Sequence, residues 1–120
     1  MKGNPMEDHN TVLCAANSYI QKFYLNPMFD SLPKEVKQQL QILCVNYTED
    51  VGGIFTMEFD DDGKLLLKSM SNETDYLYDD IGADTKIREM SDEYGELFQK
   101  MEMYYLAVRT LGTNGAAGGR

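Results

Sequence analysis

Tryptophan is absent from these 120 residues, histidine occurs once, cysteine twice and proline three times. A lone His9 excludes a histidine-rich zinc site and leaves room for at most one imidazole acid–base pair. Two cysteines cannot staple a mini-protein, and a chain of this length buries roughly 65% of its unfolded surface without them. No apolar run approaches the roughly 18 residues that a helical membrane span requires. Positive charge is scarce: 11 Lys and Arg stand against 20 acidic residues, a net charge of −9. That field opposes direct binding to nucleic-acid phosphates or to an anionic membrane. Nor is there a Gly-x-x-x-x-Gly-Lys-Ser/Thr phosphate loop, a Gly-x-Ser-x-Gly elbow or a Cys-x-x-Cys pair. No cofactor is expected, and the balance leans away from an enzyme.

What the chain does hold is 42% hydrophobic residues, with 8 Tyr, 8 Met and 5 Phe, enough for the core of one domain and too many for a disordered segment. The acidity is concentrated. Between Glu49 and Glu93 lie 14 acidic and 4 basic residues, a net of −10, which leaves +1 for the remainder. Such carboxylates keep turns and strand edges solvated, and the same face could steer a cationic partner. The start, Met1-Lys2-Gly3-Asn4-Pro5-Met6-Glu7-Asp8, carries a lysine but no apolar stretch behind it, so no secretory signal is expected. Cys14 and Cys44 lie in apolar surroundings and read as buried, reduced thiols of a cytoplasmic protein. The same surroundings argue against a Cys–His dyad with His9, which sits in a polar leader.

The spacing of Val12, Ala16, Tyr19 and Phe23, capped by Asn10 or Thr11 and ended by Asn26-Pro27, predicts a first helix; a strand over 18–25 is the alternative. A second helix is predicted from Pro33, which loses no hydrogen bond in a first turn, through Val36, Leu40, Leu43 and Tyr47 to Gly52-Gly53. The period then falls to two. Phe55, Met57 and Phe59 alternate with Ile54, Thr56 and Glu58, reach Asp60-Asp61-Asp62-Gly63 and return through Lys64 to Met70, a β-hairpin. A third strand is expected over Thr74 to Tyr78, with Tyr76 and Tyr78 on one face. Ile87, Met90, Tyr94, Leu97, Met101, Tyr104, Val108 and Leu111 recur at alternating spacings of three and four, a heptad seam on one long helix capped by Asp84 or Thr85. The predicted fold is α+β: an N-terminal helical pair, a three-stranded antiparallel meander and a long C-terminal helix packed on the sheet. Residues 1–9 are expected as a flexible leader, 10–111 as one domain and 112–120 as a flexible glycine-rich tail.

One segment approaches a known metal site. Glu58, Asp60, Asp62 and Gly63 fall at the first, third, fifth and sixth positions of a calcium loop, with Leu65 at its apolar position. Glu replaces the usual first Asp, Ser69 stands where a bidentate Glu is needed, and the flanks alternate like strands. Calcium binding no better than millimolar is therefore expected, and no dedicated metal site. Asn17-Ser18-Tyr19 with Lys22-Phe23-Tyr24-Leu25-Asn26, Leu43-Cys44-Val45 with Tyr47-Thr48-Glu49-Asp50-Val51-Gly52-Gly53-Ile54, and Tyr78-Asp79-Asp80-Ile81-Gly82 together resemble a family of small uncharacterised bacterial proteins. The resemblance spans about residues 12–108 and implies a cytoplasmic bacterial setting, with no catalytic or binding residue attached to it.

The function expected is a non-catalytic protein–protein interaction module that self-associates as a homodimer. Its interface would be Met101, Met103, Tyr105 and Leu106, because a rod over 84–111 would reach roughly 40 Å and overhang a domain about 35 Å across. Two alternatives stand beside it: a small-ligand-binding or enzymatic domain with a Tyr/Asp-lined pocket, and an acidic nucleic-acid mimic that binds a basic protein. Protein, or a second copy, is the expected partner, with no direct nucleic acid and no membrane.

Overall fold

The computed structural model describes residues 9–118, and side chains as far as 111. Four strands and three helices follow in order: β1 (Thr11–Asn17), β2 (Lys22–Leu25), α1 (Lys34–Val51), β3 (Ile54–Phe59), β4 (Leu65–Met70), α2 (Asp80–Glu93) and α3 (Gly95–Gly118), with one 3-10 turn at Pro27–Phe29. The fold is α+β, and the sheet is antiparallel throughout in the order β2-β1-β3-β4. Of the expected leader only His9 is described, and it is exposed. The glycine-rich stretch lies within the bounds of α3 as far as Gly118.

The predicted N-terminal helix is corrected to a hairpin. Residues 18–21 form a four-residue turn, and the alternative strand over 18–25 is realised only from Lys22 to Leu25. β1 takes the centre of the sheet, hydrogen-bonded to β2 on one side and to β3 on the other. Two rows of backbone partners outweigh the helical preference of Ala15 and Ala16, and no local pattern announces them. A register shift between Val12 and Cys14 lets the consecutive residues Leu13 and Cys14 both be fully buried. Since β2 and β3 both run opposite to β1, they are parallel to each other, and α1 is the crossover that joins them.

The second predicted helix is α1, which buries Leu40, Leu43, Cys44, Tyr47, Thr48 and Val51. The predicted hairpin is β3–β4. Its turn is closed by Asp60, whose Oδ1 accepts the N–H groups of Asp62 and Lys64, each at 2.9 Å, while Gly63 takes the φ of 85° that the turn requires. The expected third strand of a meander does not form. Instead Asp75 N–H bonds back to the Asn72 carbonyl and Leu77 N–H to Asp75 Oδ1, a turn that sends Tyr76 and Tyr78 in different directions.

The single C-terminal helix is corrected to two. Tyr94 leaves helical geometry at φ −113°, ψ 23°, and α3 begins at Gly95. The break shifts the phase of the buried stripe, so that Phe98, Met101 and Tyr105 are buried while the seam positions Leu97 and Tyr104 are only partly so. α1 and α3 pack on the face of the sheet that carries Cys14, Phe55, Met57 and Phe59, and α2 packs against both of these helices. The opposite face shows Tyr24, Ala15, Thr56 and Lys68 as one cross-strand row. Among the described residues, no helix is long and apolar enough to cross a membrane.

Candidate functional site

The connection from β4 to α2 is built inward and outward at once. Tyr78 turns in: its ring lies against Gly53 and its hydroxyl meets Ser69 Oγ at 2.6 Å. Beside it the Tyr47 hydroxyl donates to the Ala83 carbonyl at 3.2 Å, and burial pushes its pKa up. Asp79 caps α2 by accepting the Gly82 N–H at 2.8 Å, and its own N–H reaches the Val51 carbonyl. From the β1–β2 turn, the Tyr19 hydroxyl donates to Asp75 at 2.5 Å and accepts the Asn72 N–H at 3.0 Å. The carboxylate that accepts its hydrogen bond holds the Tyr19 pKa above its ordinary value.

With these anchors set, three large apolar side chains stand in water: Tyr76 is 92% exposed, Leu77 93% and Ile81 82%. Around them lie Glu73, Asp75, Asp79, Asp80 and Asp84, with no Lys or Arg between residues 71 and 84. Hydropathy counts do not find this patch, because each residue reads as ordinary core material. The nearest signal was the Asp-rich flank of Tyr76 and Leu77.

A second feature is a groove of about 480 Å³ between the β1–β2 hairpin and α1. The hairpin supplies Asn17, Gln21, Lys22 and Phe23, and α1 supplies Gln41, Val45, Thr48 and Glu49. One of the two alternative readings called for a Tyr/Asp-lined pocket; this groove is lined by amides, hydroxyls, one cation, one anion and apolar groups, with no Tyr or Asp.

The calcium-loop residues do not converge. Glu58 is 7% exposed and is engaged by Asn10 Nδ2 at 3.1 Å, Thr56 Oγ1 at 2.9 Å and Lys68 Nζ at 3.0 Å. Asp60 is spent on the turn and Ser69 on Tyr78, while the Asp62 side chain is exposed. Among the described residues, no group of three or more His, Cys, Asp or Glu side chains is placed to hold a metal ion. Burial alone would raise the Glu58 pKa, but its hydrogen bonds and the Lys68 charge outweigh that and hold it low. Because the folded value lies below the unfolded one, the stabilisation is complete above about pH 5 and is lost as pH falls through the folded value. In acid titrations followed by circular dichroism, Glu58→Gln should lack that part of the acid-induced loss which the wild type shows.

The four expected interface residues divide. Met101 and Tyr105 are buried within the chain at 4% and 5% exposure, a correction that follows from the altered phase of α3, whereas Met103 is 70% exposed and Leu106 40%. Leu106 also rests on Gly63 of the β3–β4 turn.

Cys14 and Cys44 are fully buried, and their sulfurs lie 3.5 Å apart across the β1–α1 contact. The shared thiol hydrogen bond, with burial behind it, pushes the Cys14 thiol far up, so that sulfur is not poised as a nucleophile. A polar thiol reagent should leave both unmodified in the native protein and react with both in urea. Rapid native labelling would contradict this packing.

Residues 10–114 match the model of one protein family, described only as of unknown function, DUF6145. The chain belongs to that family. No curated protein and no solved structure matches it. Membership in DUF6145 assigns no role to any side chain, so function must be argued from the surfaces above.

Proposed function

We propose that the chain is a non-catalytic protein–protein interaction module whose contact element is the loop between β4 and α2. The observation that carries this reading is the near-complete exposure of Tyr76 and Leu77 on that loop, and of Ile81 in the first turn of α2, with the loop tied down at Tyr19, Tyr78 and Asp79. Apolar groups left in water favour association, and a loop already fixed gives up little entropy when it binds. The surrounding carboxylates select the partner: a protein with an apolar pocket rimmed by Lys or Arg. The nucleic-acid-mimic reading also calls for a basic partner, but here the centre of the contact is apolar.

A benzophenone amino acid at position 81 tests this in extracts of the source organism. The expected product is an adduct with a basic protein that weakens with salt, disappears in Tyr76→Ala with Leu77→Ala, and is reduced in Tyr19→Phe. Absence of adducts, or adducts indifferent to the double substitution, would overturn the reading.

Self-association is favoured by a separate observation. Met103 and Leu111, eight positions apart on α3, are 70% and 68% exposed. Sedimentation should then show a dimer at tens of micromolar, and Met103→Glu with Leu111→Glu should return a folded monomer. A monomeric wild type would end this second reading.

A further inference from the structure

We infer that the groove between the β1–β2 hairpin and α1 is a binding site for a small zwitterion of the free α-amino acid class. Its volume, about 480 Å³, lies in the range of small-molecule sites. Its walls carry opposite charges, Lys22 on the hairpin and Glu49 on α1. Among the described residues the ion pairs are Lys37–Asp30, Lys68–Glu58 and Lys86–Asp50, so Lys22 and Glu49 border one space without pairing to each other or to any other described group.

Gln21 and Gln41 bring amides to the same groove, and they too have no described hydrogen-bond partner. Gln21 is the one described non-glycine residue at positive φ, 53°. Glycine would relax that position, yet the chain holds a long amide side chain there, at the rim of the groove. Phe23 and Val45 supply apolar wall between the polar groups.

This donor set discriminates by charge. A neutral solute gains nothing from either charge, while a simple anion or cation is attracted by one and opposed by the other. A zwitterion answers both, its carboxylate toward Lys22 and its ammonium toward Glu49, and the overall negative field of the protein neither attracts nor repels it strongly. The site is separate from the β4–α2 loop and does not depend on the reading given for it.

The test is a ¹H–¹⁵N NMR titration of the full chain. The probes are L-glutamine and L-leucine, each beside its α-amide, which lacks the carboxylate, and its α-hydroxy acid, which lacks the ammonium. At concentrations up to about 10 mM, saturable shifts are expected for one or both amino acids at residues 16–23 and 41–49, with either analogue about tenfold weaker. Lys22→Gln should erase the preference over the α-amide, and Glu49→Gln the preference over the hydroxy acid. Both side chains are exposed, so the rest of each variant's spectrum should match the wild type. No saturable shift, shifts elsewhere, analogues that bind equally well, or binding unchanged in Lys22→Gln would each overturn the assignment.

Discussion

Gly53→Ala is expected to lower the stability of the fold by roughly 3 kcal/mol, as the sum of about 1–2 for a left-handed non-glycine residue and 1–3 for overpacking. Gly53 sits at φ +73°, and a methyl group there would collide with the Met70 carbonyl oxygen and lie 2.9 Å from the Tyr78 ring. The carbonyl belongs to the β3–β4 ladder and cannot swing aside. Tyr78, for its part, anchors the loop that presents Tyr76 and Leu77. The substitution should therefore loosen the loop as well as destabilise the sheet. Gly95→Ala is the matched control, because nothing lies within 4 Å of that position and its φ is ordinary. Alanine there should be neutral or stabilising by up to about 1 kcal/mol. Urea midpoints of the two variants give the comparison, and equal midpoints would mean that the Gly53 contact is misdescribed.

Tyr105→Ala should cost about 3–5 kcal/mol, the usual loss for emptying an aromatic site in a core. Its ring stacks on Phe59 at 4.3 Å and 5°, lies 6.2 Å from Phe29, and is covered by the Arg109 guanidinium at 5.1 Å. Its hydroxyl meets Thr11 Oγ1 at 3.0 Å, so Tyr105→Phe should cost only about 1 kcal/mol. Met103, two positions earlier, points to water, and Met103→Glu should change stability by less than about 0.5 kcal/mol. Chemical denaturation of the three variants measures which face of α3 is core. A large loss in Met103→Glu would reverse the assignment.

These two residues also show what could be read from the chain and what could not. α1 and the β3–β4 hairpin were legible because their signals are local: Pro33 and Gly52-Gly53 mark the ends of one, and alternation around Asp62-Gly63 marks the other. β1 was not, since its strand character comes from partners at Lys22–Leu25 and Ile54–Phe59 rather than from its own residues. The heptad seam ran without interruption through Tyr94, so one long overhanging rod was expected and Met101 and Tyr105 were assigned to a partner-facing surface, while the Tyr94–Gly95 break was foreshadowed only by a glycine. Apolar flanks told that Cys14 and Cys44 are buried; only the β1–α1 contact brings them together. The candidate sites were the least legible part. Tyr76, Leu77 and Ile81 are exposed because Tyr78 turns inward beside them and Asp79 is held by capping α2, and the groove exists because a strand read as helix lies beside α1.

The central place of β1 dictates the order of assembly on the ribosome. β1 and β2 emerge before β3 and can pair with each other, but the other edge of β1 stays open until Phe59, its distant neighbour through Thr11, has been synthesised. Through that interval an apolar strand waits with unsatisfied backbone groups on one side, the condition under which chains recruit one another. Closure depends on a contact 48 residues away, between Thr11 and Phe59, which sets a slow, late step in folding. Nascent chains halted at residue 53 should therefore remain protease-sensitive, whereas chains that also expose β3 and β4 beyond the exit tunnel should begin to resist.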